Sequence, residues 1–207
     1  MLNKISLFLS MMLITTFSHS EPRMINVNYG LLNYTYKTTS YTASFIQWND
    51  EYAVTAKHVK NLPNSVYICG VGCDLQFFKH KASLPIIQWR DGIKGENVHL
   101  VGQNASRQET IITGFNTDRN VFDTDTKKYI GKLALATSVP GMSGGPIYGD
   151  DAKVIGMTIA TVEKQLDNLG PNAYSVYIPY QTVIEQWNNF CHDNVMKNVS
   201  ITQCQLK

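Results

Sequence analysis

Gly141-Met142-Ser143-Gly144-Gly145-Pro146 is the stretch on which the reading of this chain turns. Glycines around a single serine permit tight turns, so that the hydroxyl stands clear of the backbone while nearby amide N–H groups point into the same space. Donors arranged in this way can hold an oxyanion that develops on an acyl carbon. A glycine-rich turn joining two strands has the same composition, so the hexapeptide alone leaves a catalytic and a structural reading open. The segments on either side, Tyr129 to Ala136, Pro146 to Tyr148 and Val154 to Thr161, are short, β-branched and aromatic, and they place the serine on a turn between strands.

Further outward the same pattern repeats. Strands are expected at Tyr41 to Trp48, Tyr52 to Ala56, Ser65 to Cys69, Leu75 to Phe78, Val98 to Val101, Thr110 to Gly114 and Ala173 to Ile178, with Asn49-Asp50-Glu51 as a turn. About ten short strands with turns every 8 to 12 residues indicate an all-β sandwich or barrel rather than alternating β and α units. One helix is expected, beginning after Pro179 and carrying the apolar stripe Val183, Ile184, Trp187. The polar stretch from Arg107 to Lys128 is read as a connecting middle, with a boundary between two halves near residues 102–109.

Composition narrows the class. The chain has 207 residues, 43% hydrophobic and 16% charged, with a formal net charge of +2. That excludes disorder, collagen and coiled coil, and the absence of a Lys/Arg-rich block argues against a nucleic-acid partner. Residues 1–20 carry one charge, Lys4, then an apolar run from Ile5 to Phe17 and the small residues Ser18 and Ser20. The run is short for a membrane span and suits a secretory signal peptide removed before Glu21, leaving residues 21–207 as one secreted or periplasmic domain with no membrane attachment. Four cysteines in that region, an even number, favour disulfides in an oxidising compartment. Of three connectivities the local pairs are preferred: Cys69 with Cys73, and Cys191 with Cys204. A lone C-x3-C is a weak zinc signal, so no metal or other cofactor is expected.

A nucleophilic serine needs a base. His58 stands out among the histidines because it ends the strand-like run Ala53-Val54-Thr55-Ala56-Lys57-His58-Val59, from which a side chain can project into a cleft. The third member must be a carboxylate that orients the imidazole. Asp74 opens the half-buried strand Leu75-Gln76-Phe77-Phe78 and is preferred. Asp91, in Trp-Arg-Asp-Gly, is the alternative, although it reads as a turn residue.

With these blocks in place the chain resembles the trypsin-like serine peptidases of the chymotrypsin fold, particularly the short bacterial secreted and HtrA-type catalytic domains. The resemblance spans residues 41 to 188. It rests on Ser44 to Val59 as a hairpin ending in the histidine, Asp74 to Lys79 as the aspartate strand, and Gly95 to Gly102 as the strand that follows. Gly141 to Pro146 with Val154 to Met157 forms the serine block, and Tyr177-Ile178-Pro179 leads into the terminal helix. It implies two six-stranded antiparallel barrels with a C-terminal helix and a triad of His58, Asp74 and Ser143 in the cleft between them. It also implies an oxyanion hole from the N–H groups of Gly141 and Ser143, and protein or peptide substrates.

Departures from the family pattern are informative. His58 and Asp74 are only 16 residues apart, so the intervening strands must form a minimal hairpin, and a Cys69–Cys73 bridge would pin the loop before Asp74. Met142 stands where zymogen-activated relatives carry an aspartate, which implies no such switch. Thr137, where lysine- and arginine-specific members carry an acid, disfavours a basic preference, and Thr158, where glutamate-specific members carry a histidine, disfavours an acidic one. Thr161, in place of a glycine at the pocket mouth, narrows it toward small or medium apolar residues. The competing reading is a catalytically inactive member of the same fold used for binding, motivated by the short His58–Asp74 spacing.

Overall fold

The computed structural model describes residues 29–83, 86–104, 106–162, 174–196 and Cys204. The signal peptide expected over residues 1–20 lies outside them. Eleven strands and one helix follow in chain order: β1 (Tyr29–Tyr36), β2 (Thr39–Gln47), β3 (Tyr52–Thr55), β4 (Ser65–Ile68), β5 (Gln76–Lys79), β6 (Asn97–Gln103), β7 (Glu109–Phe122), β8 (Tyr129–Leu135), β9 (Pro146–Gly149), β10 (Val154–Val162), β11 (Tyr174–Pro179) and α1 (Tyr180–Met196).

The strands divide into two antiparallel halves. The first is a five-stranded sheet in the order β1-β2-β3-β5-β4, and the second is a closed barrel in the order β10-β11-β8-β7-β6-β9. The second half matches the expected six strands. The first has five among the described residues, because a single strand, β4, occupies the span between β3 and β5. The change from one half to the other falls between Lys79 and Asn97. The expected boundary at residues 102–109 is instead the turn of the β6–β7 hairpin inside the second barrel, where Asn104 Oδ1 accepts hydrogen bonds from the amides of Ser106 and Gln108.

Two elements go beyond the sequence expectation. β1 pairs along its whole length with β2, from Tyr29 opposite Ile46 to Tyr36 opposite Thr39. β7 continues to Phe122, through much of the stretch read as a polar connection. Thr113, Arg119 and Asn120 on it are exposed, Asn116 is buried and accepts from the Tyr177 hydroxyl, and pairing with β6 and β8 on either side satisfies the backbone.

A core containing Val54 and Phe77 from the first half, Val154 and Met157 from the second, and the buried helix residues Val183, Trp187 and Phe190 joins all three parts. The i, i+4, i+7 spacing puts these three on one helical face. Trp187 is the centre of that contact, its ring 5.1 Å from Phe77, 5.2 Å from Tyr52 and 5.2 Å from Phe190. A disulfide from Cys191 to Cys204 ties the tail back to α1, and a second joins Cys69 to Cys73, so both expected pairs are present. No helix among the described residues is long and apolar enough to cross a membrane.

Below β5, His80 is held by Gln47. Its Nδ1 lies 2.7 Å from Gln47 Oε1, its carbonyl accepts from Gln47 Nε2, and its ring lies 4.6 Å from that of Phe45. Burial holds its pKa below the ordinary 6.5. The unfolded chain therefore binds the proton more readily, and the contribution of neutral His80 is present above pH 6.5 and lost as the pH falls below that value. Denaturant midpoints measured from pH 7.5 downward should decline more steeply for the wild type than for His80→Gln in that range. Trp187→Ala should cost about 3–5 kcal/mol by the usual large-to-small scale, read as a shift of the urea midpoint.

Candidate active site

His58 follows β3 on a short turn whose carbonyls are gripped from inside the sheet. Gln76 on β5 is buried, and its Nε2 donates to Ala56 O at 2.9 Å and to Val59 O at 2.8 Å. A buried carboxamide satisfied on both sides fixes the turn that presents the imidazole.

Asp74 meets His58 with both carboxylate oxygens. Oδ1 accepts the His58 backbone N–H at 2.8 Å, and Oδ2 lies 2.6 Å from Nδ1. The side chains are 42% and 29% exposed, so the pair sits at the edge of a cleft and not in the interior. This contact sets Nδ1 as the protonated nitrogen and turns Nε2 outward. Asp91, the alternative acid, is exposed, and its Oδ2 accepts from Gln181 Nε2 on α1 at 2.7 Å. The carboxylate in contact with His58 is that of Asp74.

The short separation works because β4 is the single strand between the two residues, and the loop that follows it and carries Asp74 into β5 is tied twice. The Cys69–Cys73 bridge closes it covalently. Lys57 Nζ, next to the histidine, donates to Cys69 O at 2.8 Å and Gly70 O at 3.2 Å. Lys57 carried no signal in the sequence, because its partners are carbonyls of a loop that only the fold brings near.

Ser143 belongs to the other half. Its loop is a run of tight turns in which Met142 N donates to Val139 O and Gly145 N to Met142 O. Gly144 has φ +84°, and a Cβ there would lie 2.1 Å from Ser44 O and 2.2 Å from Thr55 Oγ1. Gly141, at φ +103°, approaches Gln103 O as closely. The first half holds this loop: Ser44 N donates to Ser143 O at 2.8 Å, and Ser44 Oγ donates to Gly141 O at 3.0 Å. From β10, Thr158 accepts from Gly144 N and donates to Gly145 O. The amides of Gly141 and Ser143 donate to no acceptor among the described residues. Met142 is fully buried with the core residues of the second barrel.

His58 and Ser143 line one cleft of about 260 Å³. Pro140 and Gly141 continue its wall on the side of the second half, and Tyr34, Ser40, Tyr41 and Thr42 of the β1–β2 hairpin form it on the other. The remaining sequence candidates gather elsewhere. Thr137 is exposed on the loop before the serine, Thr158 is buried with Oγ1 unpartnered among the described residues, and Thr161 is exposed on β10. Thr161 Oγ1 lies 2.7 Å from Ser138 Oγ and donates to Ser138 O at 2.9 Å. Ser44, Gln76 and the hairpin tyrosines are the site residues that sequence reasoning missed, and only the Tyr-rich alternation of residues 29–41 hinted at the last of these.

The fold is that of HtrA-type and trypsin-like serine protease domains. The HtrA-type protease AlgW with a bound tripeptide superposes with a TM-score of 0.61 at 16% identity, covering 83% of this chain and 60% of AlgW. The chain thus spans well under two thirds of that protein. An inactive form of the Rv3671c protease of M. tuberculosis matches with a TM-score of 0.57 at 11% identity, covering 78% of this chain and 87% of the other. The MamO protease domain of Magnetospirillum magneticum matches with 0.54 at 15% identity, covering 76% and 93%. No protein-family model matches the sequence, and no curated protein does.

The serine loop is the most sensitive backbone in the site. Gly144→Ala should cost at least about 2 kcal/mol, because a left-handed φ and a backbone clash act together. Thermal unfolding should show the loss.

Proposed function

We propose that this chain is a serine endopeptidase that hydrolyses peptide bonds through a Ser143-His58-Asp74 triad and an acyl-enzyme. The observation that carries the reading is the 2.6 Å contact between Asp74 Oδ2 and His58 Nδ1, opening on the cleft that Ser143 shares. With Nδ1 protonated, His58 Nε2 takes the proton of the Ser143 hydroxyl as it attacks the carbonyl carbon, and the Asp74 carboxylate stabilises the resulting imidazolium. The free amides of Gly141 and Ser143 supply the donors for the oxyanion. His58 then protonates the departing amine, and water releases the acyl group by the same steps in reverse order.

The pocket residues support a preference for small or medium apolar side chains on the acyl side of the bond. Thr137 puts no carboxylate there to pair with Lys or Arg. The hydroxyls of Thr161 and Ser138 join across the space between β10 and the loop before the serine. Two disulfides and the leader-like residues 1–20 support export to an oxidising compartment, where protein or peptide substrates are met. The binding-module alternative expects Asp74 to face solvent or His58 to fall short of Ser143, and the 2.6 Å contact of Asp74 with His58 speaks against the first of these.

Labelling the purified protein with a fluorophosphonate probe tests the mechanism. Adduct should form on Ser143, be absent in Ser143→Ala, and form at least about 100-fold more slowly in Asp74→Asn. No adduct in a folded, disulfide-intact protein overturns the reading. Cleavage of a peptide library should be concentrated after small or medium apolar residues, and strong cleavage after Arg or Glu would reject that preference.

A further inference from the structure

We infer that the cleft between the β1–β2 hairpin and the serine loop binds the leaving-group side of the substrate and selects an aromatic or large apolar side chain there. This inference rests on the proposed acyl-enzyme chemistry and adds a determinant that the triad does not require.

The direction of the substrate follows from the proton transfers. An acyl group attached to Ser143 must place its oxygen toward the amides of Gly141 and Ser143. The leaving amine must lie beside His58, which protonates it, so the chain beyond the broken bond runs past His58. The wall it meets there is the hairpin, through Tyr34, Tyr41 and Thr42. None of Thr137, Ser138, Thr158 or Thr161 lines this cleft. The acyl-side pocket and this cleft therefore meet only at the serine loop and are separate recognition surfaces.

The chemistry of the wall sets its choice. Tyr34 and Tyr41 are cross-strand partners, and their rings stack at 5.4 Å with an interplanar angle of 20°. Tyr41 is 42% exposed, unusually open for a large ring in a cleft wall. Two rings already stacked form a flat platform with little rotamer entropy left to lose, which favours a third ring or a broad apolar side chain. Apart from His58 the lining holds no Asp, Glu, Lys, Arg or His, so nothing there offsets the desolvation of a charged side chain. Ser40 and Thr42 add hydroxyls within the same wall that can pair with substrate backbone.

Partitioning of an acyl-enzyme measures this surface directly. p-Nitrophenyl acetate carries no residue on its leaving side and acetylates Ser143 with release of p-nitrophenol. An added dipeptide amide then competes with water. The ester C–O bond to Ser143 Oγ breaks, a C–N bond forms, and the amine proton passes through His58 to Oγ, yielding an N-acetyl dipeptide amide in place of acetate. Phe-Gly-amide or Gly-Phe-amide should reach half-capture at a concentration about tenfold lower than Gly-Gly-amide does. The Tyr34→Ala/Tyr41→Ala variant should lose that preference and Tyr34→Phe/Tyr41→Phe should keep it. The captured fraction is an internal ratio, so it does not depend on how much active enzyme each preparation holds. Equal capture of all three amides by the wild type overturns the inference while leaving the triad intact. A preference that survives removal of both rings overturns it as well. Absence of Ser143-dependent p-nitrophenol release sinks the proposed function itself, a different and separately visible result.

Discussion

Ser44 joins the two halves of this protein at the point where they must agree. Its amide holds the carbonyl of Ser143 and its hydroxyl holds that of Gly141, while its own carbonyl accepts from Oγ1 of Thr55, the last residue of β3 before the His58 turn, at 2.7 Å. The serine loop of the second half is thus referenced to β2 and β3 of the first, the strands that lead into the histidine. A fully buried polar residue with its groups satisfied costs little and transmits position well, because any displacement leaves an unpaired donor behind. The glycine at 144 follows from this contact, since a Cβ there would lie 2.1 Å from Ser44 O, while the glycine at 141 answers to the close approach of Gln103 O.

The first half solves a second problem, the small distance in sequence between His58 and Asp74. A single strand, β4, separates His58 from Asp74, and three ties hold that arrangement. Gln76 fixes the histidine turn, Lys57 grips the carbonyls of residues 69 and 70, and a disulfide closes the loop before the acid. Cross-linking a short loop mainly removes freedom from the unfolded chain, so it suits a segment too small to bury a core of its own. A disulfide and a trimmed first half are in this sense mutually consistent.

Much of the fold was legible in advance because the strands are short, apolar and bounded by turn residues. All ten expected strands and the helix correspond to observed elements. β1 and the far part of β7 were not legible because exposed polar residues, Asn33 and Thr35 in the one and Arg119 and Asn120 in the other, interrupt the apolar pattern that marks a strand. Their stability comes from backbone pairing with neighbours distant in sequence, which no local pattern reports. The boundary between the halves was misread for the same reason, since the polar β6–β7 turn looked like a linker.

Residue type and order by themselves determined the chemistry on offer: a glycine-flanked serine, a histidine at a strand end, an acid at a strand start, and cysteines spaced for local pairing. Tertiary structure decided which of these meet. Asp74 and Asp91 differ little as sequence, but one carboxylate faces an imidazole and the other a helix carboxamide. The same holds for the tyrosine pair, which becomes a wall of the cleft only because β1 pairs with β2 and turns its end toward the serine loop. Composition can supply a functional group, but distances of a few ångströms between residues far apart in the chain are set by sheet register and by the contacts that lock one half against the other.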